Sequence, residues 1–176
     1  MTDATPTVTT PTVSTLSFGP DRAAPNHPTL PVLVLGGAVP AGTSAQEVQA
    51  TVRRNGWGGA WLYGVFPYHH YHSNAHEALI CVGGEADLQL GGESGERVTV
   101  RRGDALVLPA GTGHKCLSAS GDFLVCGCYP PGQENPDLKR ENDPRDSVDA
   151  RIAAVPLPQT DPLFGPVGPL LDAWVR

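Results

Sequence analysis

Between Gly64 and Gly84 the chain reads GVFPYHHYHSNAHEALICVGG, and from Gly103 to His114 it reads GDALVLPAGTGH. The first stretch carries four of the six histidines of the 176-residue chain, His69, His70, His72 and His76. On an extended strand, side chains two apart share a face, so His70 and His72 project together with Tyr71 on the reverse. A turn over Ser73–Ala75 brings Glu77 back beside them at the head of the next strand. Two imidazoles and a carboxylate on one face are three donors for a divalent cation. Only His27 and His114 remain to supply a fourth. In the second stretch a strand runs into a tight Pro-Gly turn and a new strand opens at His114, where antiparallel neighbours could place it opposite His70 and His72.

Outward from these runs the pattern is almost wholly β. Candidate strands are 31–35, 60–66, 68–72, 77–82, 86–90, 96–100, 105–108, 114–117 and 123–128, separated by turn chemistry such as Gly83-Gly84, Gly91-Gly92 and Ser120-Gly121. Short strands at this spacing predict an antiparallel sandwich or barrel. The 21 glycines and 18 prolines exclude a helical bundle, a coiled coil and a Rossmann-type sheet, because both residues are costly inside helices. One helix is expected, over 45–54: Ser44 and Glu47 form a capping box, Asn55-Gly56 supplies a left-handed stop, and Val48 and Val52 share the buried side.

Residues 1–14 are Thr- and Pro-rich without periodicity and are expected to be a disordered tail, leaving a single domain over 15–176. In the C-terminal part, Phe164, Leu170 and Trp174 are expected to staple an extended tail to the body. A formal charge of −6 with no basic run argues against a nucleic-acid partner. The longest apolar runs, such as Leu30–Leu35, are far too short to span a bilayer. The N-terminus has neither the positive nor the apolar region of a signal peptide. The protein is therefore expected in the cytoplasm, with reduced cysteines. Cys81, Cys116, Cys126 and Cys128 lie inside candidate strands, and the last two have C-x-C rather than zinc-ribbon spacing. They read as core packing.

The run Gly64-x5-His70-x-His72-x4-Glu77-x6-Gly84 resembles the first cupin motif at every position. Gly103-x5-Pro109-x-Gly111-x2-His114 resembles the second, departing only where Ser118 replaces the usual Asn. Further phrases, NGWGGAW, YHHYHSNAHE, LPAGTGHK, GCYPPGQ and DPLFGPVGP, resemble a family of single-domain bacterial cupins described only as uncharacterised. The motifs cover about 57–132, and with the outer phrases the likeness runs from roughly 16 to 176. The resemblance implies an all-β fold: a double-stranded β-helix, or jelly-roll, barrel with one short N-terminal helix and an extended C-terminal tail. It also implies one divalent transition metal (Mn, Fe, Ni, Zn, Co or Cu) on His70, His72, Glu77 and His114.

His69, His76, Trp61, Tyr68, Cys116 and Ser118 are candidates for the pocket or for supporting the ligands. His69 and His76 are each one residue out of phase with a ligand, which favours a surface or turn position. Cys116 shares the parity of His114. Ser118 stands at the motif's departure, where a hydrogen bond to the ligands could be altered. No catalytic residue is assigned, and Tyr129–Gln133 is a loop that could cover the barrel end. Cupin barrels host dioxygenases, isomerases, decarboxylases, sugar binders and storage proteins, so fold alone does not choose among them. The leading expectation is a small metal-dependent enzyme, oxygenase or isomerase, acting on an oxygen-rich metabolite. The alternative is a non-catalytic metal- or ligand-binding cupin. The expected partners are a small molecule and, in a homodimer, a second copy of the chain.

Overall fold

The computed structural model describes residues 10–175. In chain order the elements are β1 (Thr12–Leu16), β2 (Val32–Gly36), α1 (Ala45–Arg54), β3 (Gly58–Tyr63), β4 (His70–Tyr71), β5 (Glu77–Gly83), β6 (Glu85–Leu90), β7 (Glu96–Arg101), β8 (Ala105–Leu108), β9 (His114–Ala119), β10 (Leu124–Tyr129), β11 (Lys139–Arg140), α2 (Val148–Ala153) and α3 (Pro169–Ala173). They form two antiparallel sheets, ordered β1-β2-β8-β5-β10-β3 and β11-β4-β9-β6-β7, the jelly-roll arrangement.

Alternation along the strands divides the apolar residues between two layers. Leu79 and Cys81 of β5, Leu106 and Leu108 of β8, and Val125 of β10 meet Ala86, Leu88, Leu90 and Val100 of the other sheet inside the barrel. The intervening residues Ala78, Ile80, Ala105, Val107, Cys126 and Cys128 face outward. They are covered by Val48 and Val52 of α1, by Trp57, and by Leu170 and Trp174 of the C-terminal segment. A strand buried on both faces reads as a continuous apolar run, which is why all four residues of β8 (ALVL) are buried. The covering helix forms as its sequence demands. Ser44 accepts from the Glu47 amide, Glu47 accepts from the Ser44 amide, and Gly56 follows with φ 86°.

The turn before β9 fixes where His114 begins. Asn26, held at φ 56°, donates through Nδ2 to the carbonyls of Gly19 (2.7 Å) and Gly91 (2.9 Å), and its Oδ1 accepts from the Gly113 amide (3.1 Å). One side chain thus pins the lead-in segment against the loop entering the site. A Cβ on Gly113 would lie 2.5 Å from the Ala24 methyl, so this approach requires glycine.

Three expectations are corrected. Of the stretch read as a disordered tail, residues 1–9 lie outside the described residues, whereas Thr12–Ser14 belong to β1 and pair with β2. The β-branched run TVSTL finds a sheet edge that composition alone does not reveal. The strand expected over 68–72 contracts to His70–Tyr71, because the Tyr68 carbonyl is used by the His70 ring rather than by a ladder. The C-terminal segment, expected to be extended, instead holds α2 and α3 joined by turns and an isolated Asp161–Gly165 bridge. Pro169 opens α3 in the first turn, where its missing N–H costs nothing.

Candidate metal centre

Strand β4 lies between β9 and β11, with His70 directly opposite His114 on one side and Arg140 on the other. His72 follows β4 by one residue. Glu77 opens β5 in the opposite sheet, so the cluster spans the gap between the sheets. His72 Nε2 lies 3.2 Å from one Glu77 oxygen and His114 Nε2 lies 3.3 Å from the other. The ligating atoms of these three residues fall within 4.8 Å of one another. His70 joins the cluster with its ring centroid 4.0 Å from that of His114, but it stands outside the converging three.

Each ring is held by its far nitrogen. Nδ1 of His70 donates to the Tyr68 carbonyl (3.0 Å), Nδ1 of His114 to the Thr112 carbonyl (2.9 Å), and Nδ1 of His72 to the Asp137 carbonyl. A carbonyl oxygen only accepts, so each Nδ1 carries hydrogen and the neutral ring keeps its lone pair on Nε2. This outer hydrogen bonding orients and polarises ligating imidazoles. Glu77 is 3% exposed, and a carboxylate that deep requires positive charge beside it. Burial would raise its pKa, yet the His72 and His114 rings hold it well below the usual range. Burial likewise works to lower His72, but the Glu77 carboxylate outweighs it and raises that ring. Burial, helped by the neighbouring His114, pushes His70 down to about 3. Nitrogen and oxygen donors without thiolate suit a borderline transition ion. His72, Glu77 and His114 form a group that could hold one.

Over this cluster opens a cavity of about 320 Å³. Its walls are apolar: Trp61, Val65, Phe66 and Leu79, with Tyr129 beside Glu77 and Tyr63 exposed at the mouth. Trp61 Nε1 donates to the Tyr129 hydroxyl at 2.9 Å. Burial first, then the charge of Glu77, pushes the Tyr129 phenol up, so it remains a neutral hydroxyl.

Of the further candidates, Trp61 lines this cavity. Tyr68 stands behind the wall, stacked on Phe66 at 5.0 Å with the Arg140 guanidinium 3.9 Å over its ring. His69 and His76 are neither cavity residues nor surface ones. His69 is buried with Nε2 3.3 Å from Glu93, while His76 accepts from the Ala110 amide (2.9 Å) and lies 4.8 Å from the Trp174 ring. His27, the other candidate fourth donor, accepts from the Thr29 and Leu30 amides and stands next to His76 instead. Cys116 packs against the barrel core and does not line the cavity. Ser118 reaches outward to Asp87 at 3.4 Å and touches no ligand, because β9 slips register beside it.

Sequence reasoning passed over two residues. Tyr129 reads in sequence as the first residue of a covering loop. The parity of β10 exposes it, since Cys126 and Cys128 face outward and Gly127 and Tyr129 therefore face in. Gly127 is small because a Cβ there would lie 2.2 Å from the Trp61 ring. Asp137 lies in a segment that reads as polar surface. It works through its backbone carbonyl, for which no sequence signal exists.

The family model described as Cupin domain matches residues 64–125. Over 162 residues, 92% of this chain and 96% of the relative, the sequence is 43% identical to the uncharacterized protein YjlB of Bacillus subtilis (strain 168). Among solved structures, an uncharacterised conserved protein with a double-stranded beta-helix domain from Klebsiella pneumoniae is 14% identical with a TM-score of 0.35, covering 76% of this chain and 88% of that one. Procruciferin, an 11S globulin from Brassica napus, is 17% identical with a TM-score of 0.40, covering 74% and 34%. By its double motif, its two-sheet barrel and its near full-length relative, the chain belongs to the cupin superfamily.

Proposed function

We propose that the protein is a metal-dependent cupin enzyme in which His70, His72, Glu77 and His114 hold one divalent transition ion and the cavity above them receives a small molecule. The observation that carries this reading is the common arrangement of the three rings. Each Nδ1 is occupied by a backbone carbonyl, and two Nε2 atoms face the two oxygens of one buried carboxylate. A bound ion would supply Lewis acidity toward an oxygen of the ligand. Glu77 lowers the net charge of that centre, the carbonyls of Tyr68, Thr112 and Asp137 keep the rings from turning, and the apolar walls exclude water. Tyr129 holds its proton at the hydroxyl, within the cavity and beside the carboxylate, as a hydrogen-bond donor to a bound molecule.

Oxygenation and isomerisation are the reactions we favour. The alternative, a binder without turnover, draws support from the cavity itself: apart from the cluster, Tyr63 and Tyr129 supply its titratable side chains, and both are phenols. With this reading go a cytoplasmic location, consistent with four free cysteines, and a homodimer, to be measured by light scattering. The deciding experiment is elemental analysis of purified protein followed by oxygen uptake and product analysis across a metabolite panel with Fe(II) and Mn(II). About one ion per chain, lost in the His72→Ala/His114→Ala variant, is the expected result. Stoichiometric binding that survives that variant overturns the site, and a bound ligand that is never converted selects the binder.

A further inference from the structure

The cavity wall constrains what reaches the cluster. Its surface is built by Trp61, Val65, Phe66, Leu79 and the ring of Tyr129. Trp61 Nε1 is taken up by the Tyr129 hydroxyl, which leaves the Tyr129 O–H as a donor toward the cavity, and among the described residues no Lys or Arg lines it. A sugar or polyol seated there would bury more hydroxyls than that one group can meet, and a buried hydroxyl without a partner is unfavourable. A polycarboxylate would bury a second anion with no cation to meet it. An apolar body gains from being buried against the same surface. The opening of the cavity is aromatic as well, with Phe66 38% exposed and stacked on Tyr68.

Resting on the metal reading above, we infer that the ligand of this site is an apolar chelator: a compact aromatic or branched hydrocarbon body carrying one pair of adjacent oxygen donors. The oxygens face the cluster and the body lies against Trp61, Val65, Phe66 and Leu79. This narrows the oxygen-rich metabolite expected from sequence to a molecule whose oxygens are confined to one end.

The test uses probes with the same α-hydroxycarboxylate head and the same single charge: lactate, glycerate and mandelate, whose bodies are a methyl, a hydroxymethyl and a phenyl group. Each is titrated into Co(II)-loaded protein and followed by the cobalt absorption bands and by calorimetry. Mandelate is expected to bind at least tenfold more tightly than glycerate, and glycerate no more tightly than lactate. In Val65→Ser, which alters a wall residue that is not fully buried, the mandelate advantage should shrink severalfold while cobalt affinity stays unchanged. Loading with cobalt followed by glycerate binding as tight as mandelate overturns this inference alone. Failure of cobalt, or of any other divalent ion, to load overturns the metal reading and this inference with it.

Discussion

Glu77 presents one oxygen to each of two imidazoles from a site with almost no solvent contact, so its charge is the term most easily isolated. Glu77→Gln keeps the shape and one oxygen donor but removes the anion. Metal affinity should fall by at least about tenfold, as it does when the groups around a metal are altered, with little change in fold by circular dichroism. For an enzyme, turnover should stay depressed at saturating metal, whereas for a binder ligand affinity should return. Unchanged metal affinity would remove Glu77 from the centre. His27 offers a different test. Burial pushes it down to about 4 from an ordinary value near 6.5, and its Nδ1 accepts two backbone amides that a protonated ring would lose. Its contribution is therefore intact above pH 6.5 and is lost as pH falls toward 4, where the unfolded chain binds the proton more readily. His27→Asn keeps a short acceptor for the same amides without titrating. Denaturant melts of this variant should show a shallower loss of stability between pH 6.5 and 4 than the parent. An unchanged slope would mean that other groups set the acid limit.

At the scale of elements, the segment 130–140 does more than close the barrel. The Asp137 carboxylate accepts from the amide and hydroxyl of Ser73 and lies 3.9 Å from Arg151 of α2, which fixes the carbonyl that receives His72 Nδ1–H. Asp137→Ala should weaken metal binding by roughly tenfold through this indirect support, and Asp137→Asn by less. Equal affinities in all three proteins would show that the carbonyl is held without the side chain. The C-terminal segment is tested through Trp174, which is 5% exposed, donates to the Pro31 carbonyl at 2.8 Å and packs in the α1 layer. Trp174→Ala should cost roughly 3–5 kcal/mol in chemical denaturation. A loss under about 0.5 kcal/mol would mean that the segment is loosely attached. The strands of the barrel were legible because period-two alternation and glycine turns are local signals, and the same parity paired His70 with His72, whereas Glu77 faces them from the opposite sheet, which no local signal shows. Elements that owe their form to a distant partner were not legible. β11 is two charged residues ordered by pairing with β4, and β1 is exposed along most of its length and exists through β2. Ser118 looked close to the ligands because sequence spacing cannot show a slip in register.

Across the whole molecule, the candidate ligands come from both sheets. His70 and His114 belong to the β11-β4-β9-β6-β7 sheet, Glu77 to the other, and His72 to the link between them. An ion bound there would tie the two sheets at one end of the barrel, where the apolar packing of the interior gives way to the cavity. The unfolded chain scatters these residues over 45 positions of sequence, so it cannot offer the same site. Binding to the folded state alone then stabilises it by RT ln(1 + [M]/Kd), about 2.7 kcal/mol at a hundredfold excess over Kd. For a domain of this size, 1 kcal/mol shifts Tm by roughly 2–4 °C, which predicts a rise of roughly 5–10 °C on loading. Scanning calorimetry of chelator-treated protein, with the metal series added back, measures it. The shift should grow with metal concentration and vanish in His114→Ala, whose ring joins β9 to Glu77. A rise of the same size in that variant would place the stabilising ion elsewhere, and no rise with any metal would mean that the two sheets are held without one.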